Sequence, residues 1–131
     1  MGSRISEISV DCSDPEAAAA FWCVALDYRI TDRDDDGVVI AGHSTAPTVI
    51  FFRSTDDKLH KDRLHLDICP VDTSQDDEVA RLAALGAKRV DIGQGDVSWV
   101  VMEGPVGNEF CVMRPSLPPE PEPIHHIDGD A

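Results

Sequence analysis

The sequence predicts an α+β fold in which a β-α-β-β-β unit occurs twice. Two alternating strand patterns, near residue 7 and again near residue 65, each run directly into a helix start. Each helix is followed by short apolar runs that turn residues separate, in the same order both times. A chain of 131 residues then holds the two units in a single core.

Residues 5–12 alternate so that Ile8, Val10 and Cys12 share one face while Glu7, Ser9 and Asp11 share the other, the signature of a half-buried strand. Ser13-Asp14-Pro15-Glu16 starts a helix, because a hydroxyl or carboxylate there accepts from free amides and Pro suits the first turn. That helix is expected through Ala17-Ala18-Ala19-Ala20-Phe21-Trp22 to about Leu26. Strands follow at Tyr28 to Asp32, Gly37 to Ala41 and Thr48 to Arg53, divided by Asp34-Asp35-Asp36-Gly37 and Gly42-His43-Ser44.

The second unit opens at Arg63, with Leu64, Leu66 and Ile68 facing one way and His65, Asp67 and Cys69 the other. An acidic helix start at Asp72-Thr73-Ser74-Gln75-Asp76-Asp77 leads into Val79 to Leu85, and Gly86 stops the helix. Strands are expected at Lys88 to Asp91, Ser98 to Met102 and Glu109 to Met113. Glu103-Gly104-Pro105-Val106-Gly107-Asn108 reads as a tight turn. Aligning Glu7 with His65 also aligns the helices, so the repeat is about 60 residues long. The units span about residues 4–54 and 62–115 of one domain, 1–115. Residues 116–131 are Pro-rich and acidic and read as a flexible tail.

A net charge of −14 argues against nucleic acid or an anionic membrane surface as partner, since phosphate binding needs clustered Lys and Arg. Only Lys58 to Arg63 is locally basic, and no apolar run approaches the length of a membrane span. The start of the chain lacks the charged and apolar regions of an export signal, which places the protein in the cytoplasm. Cys12, Cys23, Cys69 and Cys111 lie far apart in apolar surroundings, as reduced, mostly buried thiols do.

Three segments carry a family resemblance. They are Asp11-Cys12-Ser13-Asp14-Pro15 leading to Phe21-Trp22, then Lys58-x-x-Lys61-x-Arg63-x-His65-Leu66-Asp67, and Gly107-Asn108-Glu109-Phe110-Cys111-Val112. Over residues 4–115 the chain resembles the glyoxalase-like branch of the vicinal oxygen chelate superfamily, which includes bleomycin-resistance proteins. The resemblance implies an open, U-shaped mixed sheet whose concave face forms a small-molecule cleft, often completed by a homodimer. It also implies a divalent metal held by side chains on the first and last strands of both units. Residue by residue this gives Glu7, His65 and Cys111, the last where Glu is usual, while the first unit's last strand offers only Ile50, Phe51 or Phe52. Two departures from the ligand pattern argue against glyoxalase I activity itself.

Glu7 and His65 lie on the polar faces of related strands and are expected to meet across one cleft, with Asp67 orienting the imidazole. Such a set acts as general base and acid, since imidazole titrates near neutrality. Catalysis by Glu7, His65 and Asp67 on a small oxygenated metabolite, as a lyase, isomerase or hydrolase, is one expectation. The other is a non-catalytic protein that sequesters a drug or natural product between walls of Phe51, Phe52, Trp99 and Met113. Against both stands ordinary core packing of those aromatics, and of Cys111 as a small buried hydrophobe. Phe21 and Trp22, mid-helix beside alanines, are core contacts, and His125-His126 in the tail binds nothing specific.

Overall fold

A computed structural model describes residues 2–3, 5–43, 45–56, 58 and 62–115. Lys61, the segment from 116 onward and its His125-His126 pair lie outside the described residues. The first half contains β1 (Glu7–Cys12), α1 (Pro15–Leu26), β2 (Arg29–Arg33), β3 (Gly37–Ala41) and β4 (Thr48–Arg53). The second contains β5 (Leu66–Ile68), α2 (Gln75–Ala84), β6 (Lys88–Arg89), β7 (Val100–Glu103) and β8 (Glu109–Val112).

Each half builds a four-stranded mixed sheet with equivalent order, β1-β4-β3-β2 and β5-β8-β7-β6. The first strand of each half lies parallel to the last, and the other pairs are antiparallel. A parallel pair needs a crossover, and α1 and α2 provide it.

The helices start where side chains can accept from free amides. Asp14 Oδ1 accepts from the Ala17 N–H at 3.1 Å with Pro15 in the first turn, and Ser74 Oγ accepts from the Asp77 N–H at 3.1 Å. Acidic Asp76, Asp77 and Glu78 complement the dipole of α2. At the other end Asp27 turns left-handed after α1 (φ 58°), and Gly86 (φ 112°) takes a backbone conformation that glycine adopts without strain.

The apolar residues of both halves join in one core. Val38, Ile40, Val49 and Phe51 are buried beneath α1, whose Phe21 and Trp22 reach across to Phe110 of β8. The Trp22 and Phe110 rings meet edge to face at 4.9 Å, and Phe21 meets Trp22 at 5.1 Å. Arg81 of α2 adds a polar tie, donating to the Val24 and Ala25 carbonyls at the end of α1 while paired with Glu78. Among the described residues no helix is long and apolar enough to cross a membrane. The four cysteines are unpaired, with Cys12 and Cys111 buried and Cys23 and Cys69 half-buried.

Candidate functional site

The second half gathers His65, Asp67 and Cys111. Alternation along β5 sends Leu66 and Ile68 toward the core and leaves His65 and Asp67 exposed on the other face. Parallel register sets Asp67 beside Cys111 on β8. His65 Nδ1 lies 3.1 Å from Asp67 Oδ1 and 3.7 Å from Cys111 Sγ. Burial, together with the negative charge and acceptor oxygen of Asp67, pushes the Cys111 thiol up to about 11. At neutral pH the thiol therefore keeps its proton, which makes it an inert, weakly polar floor rather than a ready nucleophile.

A partly open cavity of about 270 Å³ stands over this cluster. Trp99, Met113 and Ile92 supply its apolar walls, and Gly93 and Gln94 close one side. The wall segment has little regular structure and is held by side chains instead. Asp91 Oδ1 accepts from the Gly93 N–H at 2.8 Å, and Gln94 Oε1 accepts from the Ile92 N–H at 2.8 Å. Gln75, at the start of α2, donates to the carbonyls of Ser98 and Val112 and so fixes the stretch that carries Trp99.

The donor set fits a metal ion. One ligand atom each from His65, Asp67 and Cys111 lies within 4.8 Å of the others. Nitrogen, carboxylate oxygen and thiolate sulfur on three residues, with further positions open, suit a borderline divalent ion such as zinc. Binding would expel the Cys111 proton, because the thiolate is the ligand.

Other expected site residues fall elsewhere. Glu7, exposed and paired with Thr48 on β4, is not in the cluster and does not line this cavity. In that register Glu7, Ser9 and Asp11 pair with Thr48, Ile50 and Phe52, so Ile50 and Phe52, but not Phe51, share the face of Glu7. Phe51, 2% exposed, turns toward α1, and Phe52 is exposed on the opposite face. Neither walls the cavity with Trp99 and Met113. The separation arises because strand alternation fixes a face but not the packing of one half on the other. Ile92 and Gln94 lie in an irregular segment that offers no periodicity to find them, and in the sequence Gln75 reads only as part of the start of α2.

Residues 7–113 match the model of the glyoxalase-like domain. The chain belongs to that family. Its fold is shared with the fosfomycin resistance protein FosX from Listeria monocytogenes (TM-score 0.68, 14% identity, 89% of this chain and 94% of that one). A possible glyoxalase from Bacillus cereus is also similar (TM-score 0.66, 15% identity, 86% and 99% covered). So is a glyoxalase/bleomycin resistance protein/dioxygenase family enzyme from Burkholderia phytofirmans PsJN (TM-score 0.62, 16% identity, 84% and 97% covered). No curated protein matches the sequence. As members of the vicinal oxygen chelate group, such domains share the α+β architecture seen here.

Proposed function

We propose that this glyoxalase-like protein binds a small oxygenated metabolite over His65 and acts on it as a lyase, isomerase or hydrolase. The observation that carries this reading is the His65–Asp67 pair, 3.1 Å apart on the floor of a walled cavity. A proton on Nδ1 given to the Asp67 carboxylate fixes the tautomer and leaves Nε2 free to take a proton from substrate and return it. Trp99 and Met113 orient the apolar part of the substrate. In a metal-dependent form His65, Asp67 and Cys111 would instead hold a divalent ion, which would polarise a substrate oxygen as a Lewis acid in place of the imidazole's acid–base role. Glu7 belongs to the same site through a homodimer, in which the exposed face of the first sheet of one copy meets the cavity of the other. Four unpaired thiols suit the reducing cytoplasm.

A second reading, a binding protein that sequesters a drug or natural product without chemistry, draws support from the protonated Cys111 floor and the Trp99 wall. Elemental analysis of protein purified without a His tag, together with turnover of a panel of small epoxides, hemithioacetals and lactones, separates the two. The enzyme reading expects His65→Gln to lower turnover by about 10²–10⁴-fold. Turnover unchanged in the variant removes His65 from the chemistry, and tight binding without turnover selects the binder. Stoichiometric metal in the parent and none in His65→Ala supports the metal-dependent form, whereas none in either overturns it.

A further inference from the structure

On the reading of the His65 cavity as a binding site, we propose that the molecule bound there carries an uncharged hydrocarbon arm, which passes the imidazole into a gap between β1 and β5. The arm has the bulk of a phenyl ring or a short alkyl chain. β1 and β5 are each the outermost strand of their sheet, so each keeps one edge without a strand partner among the described residues. A cavity of about 270 Å³ lies between those edges, lined by Ile8 to Asp11 of β1 and by residues 62–66 on the way into β5. His65 lines this cavity as well as the one walled by Trp99 and Met113. Because His65 precedes the first paired residue of β5, its imidazole stands at an open edge, where a ligand can reach from one space into the other.

The gap is lined by apolar side chains that the fold leaves partly uncovered. Ile8, Val10, Leu26 and Leu66 are only half-buried around it, and Leu64 is 79% exposed. Behind them Trp22 and Phe51 are 4% and 2% exposed, so core packing fixes the wall. Covering such surface stabilises a complex in proportion to the apolar area removed from water, which a hydrocarbon arm supplies and a small polar head does not. The carboxylates at the rim make no demand for a charged arm. Asp62 and Glu109 each accept from the other's backbone N–H, at 2.9 and 2.6 Å. Drug-sized ligands occupy pockets of about 300–1,000 Å³, so the gap suits part of a molecule, and the oxygenated head stays over the His65–Asp67 pair.

The two tryptophans of the chain stand one in each cavity, Trp99 beside the head and Trp22 beside the arm. A Trp99→Phe variant of the full chain therefore reports on the gap alone. Titration with γ-butyrolactone, γ-hexalactone and γ-octalactone, which share a head and carry arms of zero, two and four carbons, is expected to give affinities that rise about 10-fold at each step. Saturable change in Trp22 emission is expected for the two that carry arms. The parent protein, in which Trp99 reports as well, is expected to show the same midpoints. Leu64→Ala, at an exposed position, should weaken γ-octalactone about 5-fold and leave γ-butyrolactone unchanged. Val10→Phe, which fills the gap, should abolish the gain with arm length, and if it fails to fold by circular dichroism the lactone series and Leu64→Ala still decide. Flat affinity across the series, no response of Trp22 to γ-octalactone, or different midpoints for the two indoles each overturn the proposal. Turnover of the lactones with a flat series removes the arm and keeps the chemistry, whereas affinity that rises with arm length and no turnover keeps the arm and removes the chemistry.

Discussion

β1 and β5 open the two halves with the same alternation, yet β1 runs for six residues along β4 whereas β5 runs for three along β8. The longer strand presents Glu7, Ser9 and Asp11 on its exposed face. The shorter one leaves His65 just ahead of its first paired residue, beside Asp67 and over Cys111. Regular pairing is most extensive in the first half, and the clustered reactive groups lie in the second, where the wall over them is held by side-chain hydrogen bonds rather than a ladder. A duplicated unit can thus keep one copy regular while the other, less regular copy gathers the His65, Asp67 and Cys111 side chains.

The comparison is tested most severely at Phe110, the second-half ring on which the first-half aromatics rest. Phe110→Ala is expected to cost about 3–5 kcal/mol in denaturant unfolding, because Phe21 and Trp22 lose their partner in a site with little freedom to collapse. A loss below 1 kcal/mol would mean that the halves do not depend on a common core.

Two carboxylate–guanidinium pairs of similar geometry provide the next contrast. In the first half Arg33 and Glu16 meet at 2.9 Å with both side chains more than half exposed. In the second, Arg81 meets Glu78 at 2.7 Å with the glutamate 8% exposed, and also donates to α1. Arg81→Ala is expected to cost about 2–3 kcal/mol, since it strands a buried carboxylate and frees two carbonyls. Glu16→Gln should change stability by less than about 0.5 kcal/mol. Equal effects would show that burial does not distinguish them.

The clasp formed by Lys58, Asp62 and Glu109, which ties the approach to β5 onto the start of β8, gives a pH signature. Burial alone would raise the Glu109 carboxyl, but the hydrogen bond from Lys58 and that from the Asp62 N–H outweigh it and hold the group below its ordinary 4.5. Its contribution is therefore present above that value and is lost as pH falls through the lowered one. Asp62 opposes this. Burial, and then the Glu109 charge, lift its carboxyl above 3.8, so the folded chain takes up that proton earlier and recovers part of the loss. At the alkaline end the Glu109 hydrogen bond overrides the cost of burying Lys58 and raises it above 10.5, and its share disappears as pH climbs through the raised value. Glu109→Gln should cost about 1–3 kcal/mol at pH 7 and flatten the acid limb of a stability–pH curve. An unchanged acid limb would remove Glu109 from the clasp.

The smallest contrast is between the caps. Asp14→Ala and Ser74→Ala each remove one hydrogen bond of 3.1 Å and should each lower the unfolding free energy by about 1 kcal/mol. Pro15 presets the first turn of α1, so the Asp14 loss is expected to be the smaller.

Where turns and alternation were clear, the sequence reading matched the strands residue for residue, as at Gly37–Ala41 and Thr48–Arg53. The sequence pattern overextends β5 and β6: alternation from Arg63 suggests a strand that pairs only from Leu66, and the run to Asp91 suggests one that ends at Arg89. Side-chain hydrophobicity there does not reveal where a partner strand ends. The proximity of His65 and Asp67 was legible because period-two alternation places both on one face, and family resemblance brought Cys111 to them. The distance of Glu7 from the cluster was not legible, nor was the Asp62–Glu109 clasp. Both depend on long-range packing, and the clasp joins residues 47 positions apart.

The Phe21–Trp22–Phe110 contact also bears on how such a chain can be taken apart. Either half expressed as a fragment would bare aromatic surface that the other now covers, so the fragments should aggregate alone and recover when mixed. Melting should pass through one transition rather than two. Because the two units share that core, a change to Phe21 or Trp22 is expected to be felt around Phe110, and the reverse.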